Sequence, residues 1–194
     1  MTIHDELIRE LIKPETDGKV GKGALVVKIV GTRKIKYKLE EQTHYWKFFS
    51  FGAPPSAMGE KELVKITPDI TVTIPLQKKE KRIAIELEND IQWDFGESLR
   101  QVKKYRGKFL DTRVIIPYEY KRFAPLYKNE GVRVWLWQAK RKWKCLRCET
   151  INVNESRVPL KCKGKDKEGR KCTNKSRDEF DLVGLENADF NEYE

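Results

Sequence analysis

The sequence predicts an α/β chain: a mixed β-sheet flanked by helices, followed by a small four-cysteine module. Three observations carry that reading. Short runs rich in β-branched residues alternate with helical segments along residues 1–140. All four cysteines fall between Cys145 and Cys172. Residues 178–194 hold seven acids and no Lys or Arg, which marks them as an acidic tail. The expected division is therefore a core over 1–140, a cysteine module over 141–177 and a tail over 178–194.

In chain order, Thr2–Lys13 places Ile3, Leu7, Ile8, Leu11 and Ile12 on one face of a short amphipathic helix. Pro14 ends it, and Asp17-Gly18 marks a turn. Ala24–Val30 reads as a strand from its β-branched content, and Lys34–Leu39 as a basic strand. Thr43–Phe51 carries an aromatic cluster (Tyr45, Trp46, Phe48, Phe49), read as core or dimer interface, with base stacking the rarer use. Ala53–Gly59 is a loop, with Pro54-Pro55 at its centre. A strand over Ile66–Ile74 and another over Arg82–Glu88 form a hairpin. Asp94 and Glu97 make a capping-box pattern opening a helix whose buried face is Leu99, Val102, Tyr105 and Phe109. Arg113–Pro117 is a strand, Tyr120–Asn129 a helical segment, and Val132–Gln138 a strand.

The 194 residues suffice for one domain with an appendage. Charged residues make up 36%, a loading familiar from thermophile proteins. No apolar run is long enough to cross a bilayer and the amino terminus does not read as a signal peptide, so a soluble, intracellular protein is expected. Residues 1–177 hold 40 basic and 23 acidic side chains, a net charge of +17. A body so basic attracts polyanions, DNA foremost.

The chemistry gathers on the hairpin. Glu86 and Glu88 project to one side of their strand while Leu87 points away. Strands about 4.7–4.9 Å apart can bring Asp69 beside Glu86. Converging carboxylates repel unless a cation lies among them, and Mg²⁺ or Mn²⁺ suits such hard oxygen ligands. A structural reading, an acidic rim on a hairpin with Pro68 opening an edge strand, stands beside it.

Pro68-Asp69, a spacer, then Glu86-Leu87-Glu88 resembles the signature of the PD-(D/E)XK nuclease superfamily, with Glu88 where a lysine is usual. Gln101-Val-Lys-Lys-Tyr105 is similar to the Gln-x-x-x-Tyr motif of its RecB-type members. The resemblance implies a restriction-endonuclease-like sheet and Mg²⁺-dependent hydrolysis of DNA. Asp69, Glu86 and the Leu87 carbonyl would hold the ion, and Glu88 would bind it or steer water. Gln101 would orient water or phosphate. Lys104 or Lys108 would replace the motif lysine's charge, and Glu10, on the first helix, would be a further metal-site acid. Paired cuts on duplex DNA would need two active sites, for which a symmetric homodimer is one arrangement.

Cys145-x-x-Cys148, Cys162 and Cys172 form a set suited to structural Zn²⁺. Two disulfides and an iron–sulfur cluster are the alternatives. Lys140, Arg141, Lys142, Trp143, Lys144 and Arg147 surround the first knuckle, where a DNA backbone can lie; a stabilising cap is the other reading of this module. The acidic tail is expected to pack on a basic surface, its own or a protein partner's, and so to compete with DNA. A catalytically inactive DNA-binding adaptor and an RNA-binding zinc ribbon are the rival functions.

Overall fold

Val, Ile and Leu make the middle of this chain a sheet buried on both faces. The computed structural model describes residues 2–12, 24–32, 34–48, 61–89, 94–154 and 158–194, and of residues 24, 44–48, 61 and 62 the backbone alone. The expected turn at Asp17-Gly18, the loop at Ala53–Gly59 and the aromatic side chains of residues 45–49 lie outside that description.

Among the described residues, seven strands form one mixed sheet. They are β1 (Lys36–Leu39), β4 (Ile70–Pro75), β5 (Glu80–Leu87), β6 (Asp111–Pro117), β7 (Arg133–Cys145), β8 (Ile151–Asn154) and β9 (Phe180–Glu192). The path runs β1-β4-β5-β6-β7-β8, with β9 along the other edge of β7. Two further strands, β2 (Thr43–Phe48) and β3 (Lys61–Ile66), make a separate antiparallel pair. The helices are α1 (Ile3–Ile12), α2 (Ala24–Val30), α3 (Phe95–Tyr105) and α4 (Ala124–Asn129). None is long and apolar enough to cross a membrane.

Strands β4 and β5 are antiparallel, whereas β5, β6 and β7 run parallel. Parallel neighbours require crossovers, which α3 and α4 supply. Alternation along the strands sorts two cores. Ile83, Ile85, Leu87, Ile115, Trp135 and Trp137 face α1 and α2. Ala84, Val114, Ile116, Val134 and Leu136 face Val102 and Tyr105 of α3 and Tyr127 of α4.

Four expectations are corrected. Residues 24–30 form helix α2, not a strand: Val26, Ile29 and Val30 are buried at helical spacing, and the helix packs on α1. Its β-branched residues are outweighed by that tertiary contact. The strand expected over Ile66–Ile74 is broken at residues 67–69, so Ile66 ends β3 and Ile70 begins β4. Pro68 has no N–H for a ladder, which accounts for the break. The capping box does not form, since Asp94 makes no side-chain cap bond and Glu97 pairs with Arg100. Finally, the acidic tail is strand β9. Its Asp181 and Glu186 oppose Lys144 and Lys140 across the ladder, and Glu192 pairs with Arg133. Cross-strand pairs of opposite charge favour this register. Leu185 and Phe190 enter the core beside α1. β7 and β9 thus continue from the sheet into the cysteine module without a linker.

Candidate metal sites

Asp69 leads into β4 and Glu86 is the last residue but one of β5, and the register Ile70–Ile85 sets the two acids side by side. The Leu87 N–H donates to Asp69 Oδ2 at 2.7 Å, and the Asp69 N–H donates to Glu86 Oε2 at 3.4 Å. Helix α3 grips Glu86 from one face of the sheet. The Gln101 amide donates to Glu86 Oε1 at 2.5 Å and to the Tyr105 hydroxyl at 2.8 Å. That hydroxyl donates to Glu86 Oε2, also at 2.8 Å. Gln101 and Tyr105 are four residues apart, hence neighbours on one helix face. The two side chains and the carboxylate close a ring of three hydrogen bonds.

Helix α1 supplies His4, whose Nε2 lies 3.1 Å from Asp69 Oδ1. Sequence reasoning missed it, because a lone histidine beside an apolar stripe has no distinguishing pattern. An imidazole there is a hydrogen-bond donor to Asp69 or a nitrogen ligand to an ion. Glu10 stands six residues, about 9 Å along the axis, beyond His4 and is half-buried. None of the bonds above brings it into the acid cluster.

Glu88 is half-buried just past β5. Its backbone is pinned by its own N–H to the Ile115 carbonyl (2.8 Å) and by Trp137 Nε1 to its carbonyl (3.0 Å). Lys104 and Lys108 are exposed and form no ion pair with Asp69, Glu86 or Glu88, so the cation expected from α3 is not at the acids.

Burial sets the electrostatics of this corner. It pushes the Glu86 carboxyl well above the usual carboxylate range, and the charge of Asp69 adds to the push. Burial also raises Glu88, with a hydrogen bond from Ser98 opposing it. His4 is raised through its hydrogen bond to Asp69, against the effect of burial. Burial and mutual repulsion thus disfavour joint ionisation of the carboxylates at this corner.

The four cysteines make a tighter group. Their sulfurs all lie within 4.8 Å of one another, and among the described residues no other His, Cys, Asp or Glu set is so gathered. Cys145 and Cys172 are 3.8 Å apart, and Cys148 and Cys162 are 3.4 Å apart. Tetrahedral Zn–S bonds of about 2.3 Å place sulfurs about 3.8 Å apart, whereas a disulfide needs about 2.05 Å. The thiols are free, so the disulfide alternative is set aside.

Polar donors surround the sulfurs. The Gly164 N–H and the Asn152 amide face Cys162 Sγ at 3.2 and 3.5 Å, and the Asn174 amide faces Cys145 Sγ at 3.4 Å. Burial opposes ionisation of Cys145, yet the Asn174 amide and backbone N–H groups hold its thiol down to about 6. Cys172 accepts the Asn174 N–H, while burial and the adjoining thiols push it up to about 12. A Cβ on Gly164 would collide with the Thr150 side chain, so only glycine fits this close approach. Donor type, sulfur spacing and surrounding N–H groups all fit a metal ion such as zinc. Comparison of the chain with protein-family models, with curated proteins and with solved structures gives no match.

Proposed function

We propose that the chain is a divalent-metal-dependent deoxyribonuclease of the PD-(D/E)XK type, on a restriction-endonuclease-like sheet stabilised by structural zinc at the four cysteines. The observation that carries this reading is the hydrogen-bonded ring in which Gln101 and Tyr105 hold Glu86 beside Asp69. Two motifs separated in the sequence meet there on one carboxylate.

Asp69, Glu86 and the Leu87 carbonyl would hold Mg²⁺ or Mn²⁺, with His4 as a further candidate ligand. Such an ion polarises a phosphodiester oxygen and lowers the pKa of water. The protein's own groups do the rest. Gln101 and Tyr105 fix the Glu86 carboxylate. Glu88, partly exposed and reluctant to ionise, is suited to take a proton as water attacks phosphorus and the P–O bond to the leaving oxygen breaks. Trp137, on the Glu88 carbonyl, keeps that residue in place. Among the described residues no lysine is paired with these acids, so charge developing on phosphorus relies on the ion and on the basic surface.

That missing lysine favours a second reading, an inactive DNA-binding adaptor on the same scaffold. Supercoiled plasmid and single-stranded DNA, incubated with Mg²⁺ or Mn²⁺, separate the two. Cleavage by the natural protein that is lost in Asp69→Asn supports the enzyme. Retention of DNA without cleavage selects the adaptor.

A further inference from the structure

A dense run of positive charge lies in the cysteine module. Residues 141–177 carry 13 basic and four acidic side chains in a segment of 37 residues. Within it, Lys161, Lys163, Lys165, Lys167, Lys171 and Lys175 are exposed and form no ion pair among the described residues. Asp166 and Glu168 share Arg170, so the trio carries a net charge of only −1 against six lysines. Lys165 and Lys171 even face each other across an isolated antiparallel bridge. Like charges directly opposite are destabilising, and the pairing persists because Cys162 and Cys172 anchor both sides of the loop. Four thiolates and a dication carry a net charge of −2, too little to neutralise the segment.

We infer that this lysine face of the cysteine module is the surface that grips the DNA backbone. A rigid loop holding several uncompensated ammonium groups matches a polymer that bears one negative charge per about 1.7 Å of duplex. Lys is a point charge with no planar fork, so the contact holds phosphates without reading bases. β7 runs from this module to Trp137 and the Glu88 carbonyl, so a duplex held here is tethered to the acid corner. The choice of DNA rests on the function proposed above; the anion-binding character of the face does not.

The test uses the full zinc-loaded chain carrying Asp69→Asn, which prevents cutting, and a labelled 20-base-pair duplex without Mg²⁺. Fluorescence anisotropy from 50 to 300 mM KCl gives affinity and its salt slope. K161Q/K163Q/K165Q/K171Q should weaken binding at least tenfold at 100 mM salt. It should also reduce the log–log slope by about 2–4, at about 0.9 per phosphate contact. K36Q/K65Q/K78Q/K79Q, at exposed lysines of the sheet domain, should change affinity less than threefold. Zinc content and thermal midpoint confirm that each variant is folded. If the quadruple variant loses zinc, K165Q/K171Q replaces it, with an expected loss of at least threefold. Equal losses in the module and sheet variants would overturn the inference. So would tighter binding of RNA of the same sequence, or displacement of the duplex by polyglutamate at equal charge. Failure of the natural protein to cut DNA, with this binding intact, would remove the nuclease and leave the grip.

Discussion

Replacing Asp69 with Asn should make the protein more stable and the proposed enzyme inactive. The exchange is nearly isosteric. The Asn carbonyl can still accept the Leu87 N–H, now at 2.7 Å, and its amide can donate to neutral His4, now 3.1 Å from Asp69. What disappears is a negative charge beside buried Glu86, whose own carboxyl that charge helps push up. Cross-strand carboxylates about 5 Å apart repel by about 1 kcal/mol at the dielectric of water and about 3 kcal/mol at an effective value of 20. Allowing for the lost attraction to His4, the net gain is about 1–2 kcal/mol. For a chain of this length that is a rise in Tm of about 2–8 °C, read by differential scanning fluorimetry at pH 8.5 without divalent ions. Mn²⁺ at ten times its dissociation constant should stabilise the natural protein by about 1.4 kcal/mol and the variant not at all. An unchanged or lowered Tm in the variant, together with an intact response to Mn²⁺, would refute the account of the acid corner.

Further predictions follow from the same contacts. Tyr105→Phe removes the buried hydroxyl from Glu86 and should cost about 1–3 kcal/mol, seen as a lower urea midpoint; an unaltered midpoint would show that Gln101 alone suffices. Glu86, Glu88 and His4 all have folded values raised above the unfolded ones. Their stabilising contributions are therefore complete below the unfolded pKa and are lost as pH rises through the folded pKa. The shift of Tm produced by Mn²⁺ should then be larger at pH 8.5 than at pH 6, and a larger shift at pH 6 would contradict the assignment. Gly164→Ala forces a Cβ against Thr150 and should abolish stoichiometric zinc, measured by elemental analysis. Stripping the metal with a zinc chelator should expose Trp143 and Phe180, which pack around Cys145 and Cys162, and so shift tryptophan emission to the red.

Much of this arrangement could be read before any coordinates. The hairpin, α1, α3 and the parallel strands after it all follow from apolar periodicity, and the cysteines from their spacing. Strand spacing permits Asp69 to meet Glu86, and the Ile70–Ile85 register brings them together even though Asp69 lies in the break of the expected continuous strand. What escaped notice depends on distant partners. Residues 24–30 are β-branched enough to suggest a strand, and only α1 and the sheet beneath them decide for a helix. Residues 178–194 mix acids with Phe180, Leu182, Leu185 and Phe190, and only the ladder and lysines of β7 decide that they form a strand. His4, Asn152 and Asn174 act through neighbours remote in sequence, and no local pattern marks such residues. Helical spacing places Lys104 near Gln101, but its side chain faces solvent.

Helix α1 docks on β9, joining residues near 3–12 to residues near 180–192. A contact closing so large a loop forms late, since the ordering entropy precedes any reward. Until β9 zips onto β7, one edge of the sheet stays open and α1 lacks part of its seat, so His4 is not yet held against Asp69. Refolding should therefore pass through a species with a formed hairpin but an unpaired β7 edge, prone to self-association at high concentration.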